Sequence, residues 1–305
     1  MPIEQDAVQV LREASVARLA ADWRRQHPTS DFPDRRVTVT CGGFRIALRL
    51  GDDRRFDSRR WLDPPGLAAQ ITLDVTIDER SPDLDRRPVL VRGAAAGFAF
   101  DGNYAQIVVD DSGAIGSLRL AGRGGDDWLL GLGLREGFLA VFQQVVASRG
   151  GARLHAATLA LDGLAWVVFG ASGAGKTTLA WRFIDSYVQD DWVFLVPDAQ
   201  GIWWAWRLSE QRGPFDPDEP AWQLRLGGLR QLSPERRVTG LRPLSPEAGF
   251  AALSASAHAV DGCAGPGLLD ALARLVEAHP PALLDHALTT PADELAAFIT
   301  GTPAG

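Results

Sequence analysis

The chain has a single lysine among its 305 residues. Lysine and arginine together number 31, so the other 30 are arginines. Such an imbalance is typical of a genomic preference for arginine codons and needs no chemical explanation. The one lysine that remains is therefore informative. It is Lys176, and it lies in the stretch VVFGASGAGKTTLAWRF, residues 167–183.

Cysteine is almost as scarce, with Cys41 and Cys263 as the two examples. Two cysteines are too few for a disulfide framework or a zinc cluster. We therefore expect two reduced thiols, as in a cytoplasmic protein.

Long apolar runs are also lacking, and no segment approaches the roughly 18 residues that a membrane-spanning helix needs. The first residues, MPIEQDAVQVLREASVARLAADW, lack the apolar core of a signal peptide. The net charge of −7 argues against a nucleic-acid partner, because phosphate binding depends on clustered positive charge. We expect a cytoplasmic globular protein with no membrane or nucleic-acid partner, and its 46% hydrophobic content suits a substantial core.

The hydrophobic pattern changes along the chain and predicts two domains. Residues 6–26 have helical spacing, whereas residues 37–120 contain several short segments that alternate with period two. A long helix is expected from residue 126 or 127 to residue 149. We predict a β-rich α+β domain over residues 1–125 and an α/β domain over residues 126–305, built on a central mixed sheet flanked by helices.

A glycine-rich loop in the second domain carries the clearest functional pattern. An apolar strand at 165–169 leads into GASGAGKT, which matches the P-loop pattern G-x-x-x-x-G-K-[ST], and a helix is expected over about 175–185. Chance agreement around one fixed lysine has odds of about one in a thousand. We expect nucleotide phosphates to contact Gly170, Ala171, Ser172, Gly173, Ala174, Gly175, Lys176, Thr177 and Thr178.

Each residue type in this loop has a chemical reason to be there. Glycines let successive N–H groups point at phosphate oxygens. Lys176 is a compact point charge on a flexible stem that can reach the β- and γ-phosphates, whereas the planar arginine fork is wider. The hydroxyl of Thr177 is expected to bind Mg²⁺.

Two adjacent carboxylates, Asp190 and Asp191, follow the loop and its helix. One could contact the metal ion and the other could accept a proton from an acceptor hydroxyl. We favour Asp190 as the base and Asp191 as the metal contact, with the reverse order open. Asp198, at the end of the apolar run VFLVP, is a weaker candidate for the metal contact, because PDAQG also fits a plain turn.

His155 begins the segment LHAATLALDG, in which Asp162-Gly163 is a strong hairpin signal. The hairpin would place the strand of His155 beside the strand that leads into the loop. A structural role and a role in the site are equally compatible with this position.

The ordered set LHAATLALDG, GASGAGKTTL and QDDWVFLV resembles the nucleotide-binding half of the HPr kinase/phosphorylase family. It is most similar to the relatives in peptide-biosynthesis clusters, including those that phosphorylate lasso-peptide precursors. The resemblance covers roughly residues 127–260. HPr kinase itself has a further Glu-x-Arg-Gly signature, whereas the nearest segment here, LRLGGLRQLS, has Arg225 and Arg230 without the glutamate. This difference favours an acceptor other than HPr.

The resemblance implies a P-loop kinase fold of HPr-kinase type and roles for particular residues. His155 corresponds to an active-site histidine, Ser172, Lys176 and Thr177 to phosphate-loop positions, and Asp190 and Asp191 to the acidic pair. The implied reaction is transfer of the γ-phosphoryl group of ATP, with Mg²⁺, to a serine hydroxyl.

We therefore expect an ATP-dependent serine kinase that acts on a peptide or small protein, with homo-oligomer formation left open. Two alternatives also fit a P-loop. The first is an ATPase or GTPase with no acceptor, and the second is a nucleotide-sensing module that binds a peptide without phosphorylating it.

Overall fold

The computed structural model describes residues 36–42, 44–50, 69–78, 82, 88–92, 97–121, 127–189, 191–207, 223–233, 239–257, 266–287 and 289–301. Within these residues the chain forms sixteen β-strands and five α-helices, and the strands assemble into two mixed sheets. This arrangement confirms the predicted α/β class with a mixed sheet. The helix predicted over residues 6–26 lies outside the described residues.

The chain divides into two compact units. Of the described residues, those within 36–40 and 44–142 belong to the first unit, and those within 41–42, 143–257 and 266–301 belong to the second. The boundary that we predict between residues 125 and 126 lies outside the described residues and stays a prediction.

The first unit is built on a seven-stranded sheet with the order β1-β2-β3-β7-β6-β5-β4. Strand β3 runs parallel to both β2 and β7, and β7, β6, β5 and β4 are successively antiparallel. The strands are β1 (Arg36–Cys41), β2 (Phe44–Leu50), β3 (Ile71–Asp78), β4 (Val89–Arg92), β5 (Phe98–Asp101), β6 (Ala105–Val109) and β7 (Ile115–Ala121).

Helix α1 (Asp127–Ser148) packs on this sheet through small residues. A Cβ atom added at Gly133 would lie 3.0 Å from the side chain of Leu120, and one at Gly137 would lie 2.9 Å from that of Leu118. The two glycines are four residues apart and so share a helix face, which lets the backbone approach the strands closely. On the same helix, the Glu136 carboxylate accepts hydrogen bonds from three backbone N–H groups in the turn at residues 103–105.

The second unit contains a nine-stranded sheet. Its main path has the order β11-β9-β10-β14-β13-β12-β8, while β16 pairs with both β14 and β15. The strands are β8 (Ala152–Leu154), β9 (Ala156–Leu161), β10 (Leu164–Phe169), β11 (Tyr187–Gln189), β12 (Val193–Pro197), β13 (Trp203–Trp206), β14 (Gln223–Leu232), β15 (Gly240–Pro243) and β16 (Ala282–Asp285).

Four helices belong to this unit, and apolar cores lie on the two faces of the sheet. The helices are α2 (Lys176–Trp181), α3 (Pro246–Ser256), α4 (Pro266–Ala278) and α5 (Ala292–Thr300). One core cluster contains residues of α3 and α4, such as Leu253 and Leu272, together with Leu154, Ala156 and Phe169 of the sheet. A second cluster contains residues of α2 and α5 with the opposite side chains of β9 and β10.

The predicted hairpin between β9 and β10 is confirmed. Leu164 pairs with Leu161 across the turn, and both turn residues have positive φ, 55° at Asp162 and 73° at Gly163. Positive φ at both central positions is the type I′ geometry that Asp-Gly favours. The helix predicted over residues 175–185 is shorter than expected, because α2 ends at Trp181 and a 3₁₀ turn follows at Ile184–Ser186.

No helix in the described part of the chain is both long and apolar enough to span a bilayer.

Candidate nucleotide-binding site

The loop between β10 and α2 has the backbone that its glycines permit. Gly170, Gly173 and Gly175 have φ values of 151°, 77° and 98°, all in a range that residues with a Cβ rarely adopt. At Gly170 space is limiting as well, because an added Cβ would lie 3.1 Å from the carbonyl oxygen of Leu232. At Gly173 an added Cβ would have nothing within 4 Å. The loop is therefore packed against the sheet at its start and open at its tip.

Lys176 is the first residue of α2, and its side chain turns back into the loop. Its Nζ donates hydrogen bonds to the carbonyl oxygens of Gly170 at 2.9 Å and Ala171 at 3.2 Å. The residue is only 6% exposed, so the ammonium group lies largely away from solvent. A single positive charge is thereby held inside a glycine-rich loop, an arrangement that suits an anionic group such as phosphate.

The other residues of the loop divide into an exposed and a buried set. The exposed set is Ala171, Ser172, Gly173, Thr177 and Thr178. Ala174, by contrast, is buried in the core cluster beneath α2. Ser172, Thr177 and Thr178 are therefore accessible from solvent.

His155 lies at the same end of the sheet as the loop. Ala156, the next residue, pairs with Phe169, and Phe169 immediately precedes Gly170. The backbone N–H of His155 donates to the carbonyl oxygen of Ser256 at 2.7 Å, which fixes this point of the chain to the end of α3. The predicted neighbourhood of the histidine strand and the loop strand is confirmed.

Asp191 reaches the same region through two separate pairings. Strand β11 pairs with β9, with Gln189 opposite Thr158, and strand β12 pairs with β8, with Val193 opposite Leu154. Asp191 lies between these strands, so its backbone is held close to His155. It is exposed, with a φ of 68°. Asp190 lies outside the described residues.

Asp191 has a left-handed backbone conformation, which is unusual for a residue other than glycine. In the described part of the chain only Asp162 and Asp191 combine a side chain with positive φ. Asp162 is explained by its hairpin turn, whereas Asp191 separates two strands at the end of the sheet where the loop lies. Sparsely populated backbone conformations of non-glycine residues concentrate at functional sites.

Asp198 does not join this group. It follows β12 at the end of the strand away from Asp191, and its oxygens accept hydrogen bonds from the backbone N–H groups of Gln200 and Ile202 and from Trp204 Nε1, each at 2.9 Å. The bond from Trp204, followed by the backbone bonds, lowers the pKa of Asp198. Asp198 organises the turn between β12 and β13, which supports its interpretation as a turn residue.

The two arginines of β14 lie at different levels of the sheet. Arg225 is exposed and pairs with Trp204. Arg230 is buried, donates from Nε to the carbonyl oxygen of Ile299 at 2.7 Å, and lies 4.6 Å from the ring centre of Trp166. Burial lowers the pKa of Arg230 to about 10. Its contacts attach α5 to the sheet, which is a structural role.

Sequence reasoning missed two residues beside His155. The guanidinium of Arg153 lies 5.9 Å from the ring centre of Trp192, and both side chains are partly exposed. Two local features of the sequence point to these residues. Arg153 lies two residues before His155, and Trp192 directly follows the Asp pair. Their contact depends on the pairing of β8 with β12, which no local pattern reports.

The described residues include no group of three or more His, Cys, Asp and Glu side chains placed to hold a metal ion. Mg²⁺ generally keeps several waters and binds through one or two protein oxygen groups. The exposed hydroxyl of Thr177 and the exposed carboxylate of Asp191 are oxygen donors of the required kind.

No protein-family model matches this chain, and a search of curated proteins also finds no match.

Proposed function

We propose that the protein is an ATP-dependent kinase that transfers the γ-phosphoryl group to a hydroxyl, most simply a serine, of a peptide or small protein. The proposal combines the P-loop pattern with the resemblance to the HPr kinase/phosphorylase family. It assigns the second unit an HPr-kinase-type fold and the protein to the cytoplasm, where ATP and Mg²⁺ are plentiful. No nucleic acid or membrane is required, and homo-oligomer formation is left open.

The observation that carries the proposal is the convergence of three separate segments. The loop at 170–177, His155 and Asp191 come from different parts of the chain, and strand pairing brings their backbones to one end of the sheet. A P-loop alone fits any nucleotide-binding protein. A carboxylate and a histidine beside it are what phosphoryl transfer to a hydroxyl needs in addition.

In the proposed reaction the loop N–H groups and Lys176 hold the β- and γ-phosphates, while Thr177 and one carboxylate of the Asp pair hold Mg²⁺. The ion would neutralise charge on the phosphate oxygens. The other carboxylate of the pair accepts the proton of the acceptor hydroxyl. The acceptor oxygen then bonds to the γ-phosphorus, the bond from that phosphorus to the β,γ-bridging oxygen breaks, and ADP leaves.

His155 would act next to this carboxylate, either in proton transfer or in holding the acceptor. Its position one residue from the Ala156–Phe169 pair places its backbone close to the start of the phosphate loop. Its role in the proposal is therefore in the reaction and not in the binding of adenine.

The test is to measure ADP release with Mg²⁺ and ATP in the presence and absence of candidate acceptor peptides encoded by neighbouring genes. A kinase releases ADP in step with phosphorylation of one peptide, and little ADP forms without it. ADP release that no peptide changes would favour an ATPase. Binding of a peptide with ATP left intact would favour a nucleotide-sensing module.

A further inference from the structure

We propose that Arg153 and Trp192 form the acceptor-binding wall of this site and select a peptide that carries a carboxylate close to the acceptor hydroxyl. The inference rests on the proposed kinase function and names its substrate class. The two residues are here called the Arg153–Trp192 pair.

The orientation of the pair follows from the core around it. Ala152, Leu154 and Ala156 all belong to the core cluster beneath α3 and α4. Side chains alternate between the two faces of a strand, so Arg153 and His155 point away from that core. Val193 belongs to the same cluster, so Trp192 also points away from it.

The face that these side chains share is the face of the phosphate loop. Ala157 and Leu159 point to the same face of the sheet as Arg153 and His155, because side chains alternate along a strand. Both of them pack with Ala174 and Leu179 in the second core cluster. The Arg153–Trp192 pair therefore lies on the side of the sheet that α2 covers. On this side of the sheet, the pair lies beyond His155 and further from strand β10, which leads into the loop.

Strand register places the pair next to Asp191 of the proposed acidic pair. Val193 is opposite Leu154, and Trp192 and His155 are the next residues beyond this pair on the two segments, with Asp191 directly before Trp192. An acceptor hydroxyl held near Asp191 would thus have its flanking residues beside the indole and the guanidinium. The pair is partly exposed and can be reached by such a peptide.

The chemistry of the pair indicates what it would bind. A guanidinium that lies near an aromatic ring can direct N–H groups from its edge, and its planar fork matches the two oxygens of a carboxylate. In the proposed mechanism Lys176 is committed to phosphate, so its charge is not available to the acceptor. Asp191 and the ATP phosphates would repel an acidic acceptor, and the positive charge of Arg153 offsets this repulsion.

The experiment uses the full chain and a library of serine-centred peptides in which each flanking position carries Asp, Glu, Asn or Gln in turn. We expect Asp or Glu at one flanking position to raise kcat/KM by about tenfold over the amide. Arg153→Gln should remove this preference, raising the peptide KM by about tenfold while leaving the KM for ATP and kcat nearly unchanged. Arg153→Lys should keep part of the preference, because it retains charge without the planar fork.

The matched control is Arg274→Gln, at an exposed arginine of α4 that donates to the carbonyl oxygen of Gly150. It should leave the acidic preference intact. Phosphorylation with no acidic preference, or a preference that survives in both Arg153 variants, overturns the inference while the kinase stands. If no peptide and no candidate protein is phosphorylated by the wild type, the kinase proposal fails and this inference fails with it.

Discussion

The ammonium group of Lys176 lies 2.9 Å from the carbonyl oxygen of Gly170. The lysine side chain therefore donates a hydrogen bond to the backbone of the loop that contains it. A buried ammonium must have hydrogen-bond acceptors, and in this structure the loop backbone provides them. Nucleotide phosphates would offer stronger, charged acceptors at the same place. In our account the lysine charge is thus already held inside the loop before a nucleotide binds.

Replacing Lys176 by arginine should be nearly as harmful as replacing it by alanine. The side chain is 6% exposed and bonds two carbonyl oxygens within one turn of chain, which leaves little space for a planar fork. We expect both variants to lose about a hundredfold or more in the rate of phosphoryl transfer. Steady-state kinetics with ATP checks this, and an Arg variant with near-normal transfer would show that charge alone suffices.

Gly170→Ala should destabilise the protein more than Gly173→Ala. Both positions have positive φ, but an added Cβ at Gly170 would press on the Leu232 carbonyl oxygen, whereas Gly173 has open space. We expect a cost of about 1 kcal/mol at Gly173 from the backbone alone and about 2 kcal/mol at Gly170. Urea unfolding of the two variants measures the difference, and equal costs would contradict the structure of the loop.

Asp191→Asn should slow transfer strongly while keeping the local backbone conformation. Asn tolerates the left-handed φ of 68° as well as Asp does, so the change removes the charge and keeps the backbone. Asp162→Asn is the matched control, because it makes the same exchange at a φ of 55° in the hairpin turn at the opposite end of β10. We expect a loss of about a hundredfold or more for the first variant and little change for the second. Similar activity in both variants would remove Asp191 from the mechanism.

His279 should make the protein less stable in mild acid. Burial, and then the positive charge of Arg225, lowers the pKa of His279 below its ordinary value of 6.5. The unfolded chain therefore binds a proton more readily than the folded one, and stability falls as the pH drops through about 6.5. His279→Gln should reduce the loss of unfolding free energy between about pH 7 and pH 5. Urea titrations at the two pH values check this, and an unchanged pH dependence would contradict it.

Much of the site could be predicted because local rules determine it. The Asp162-Gly163 turn follows from the positive φ that these residues accept, and it fixes the pairing that brings His155 towards the loop. The glycine spacing around Lys176 likewise follows from backbone sterics.

The remaining features depend on contacts that a sequence pattern does not report. The contact of Arg153 with Trp192 depends on the pairing of β8 with β12, and the turn role of Asp198 depends on a side-chain bond from Trp204. Asp198 shows the reason most clearly: an aspartate after an apolar strand suits either a metal contact or a turn, and the bond from Trp204 favours the turn.

The most direct test of the kinase account is the intact mass of a candidate acceptor after incubation with Mg²⁺, ATP and the protein. We predict a gain of one phosphate with the wild type and with Asp162→Asn, and no gain with Lys176→Ala or Asp191→Asn. An acceptor phosphorylated equally by all four proteins, or by none of them while ATP is consumed, would contradict the account.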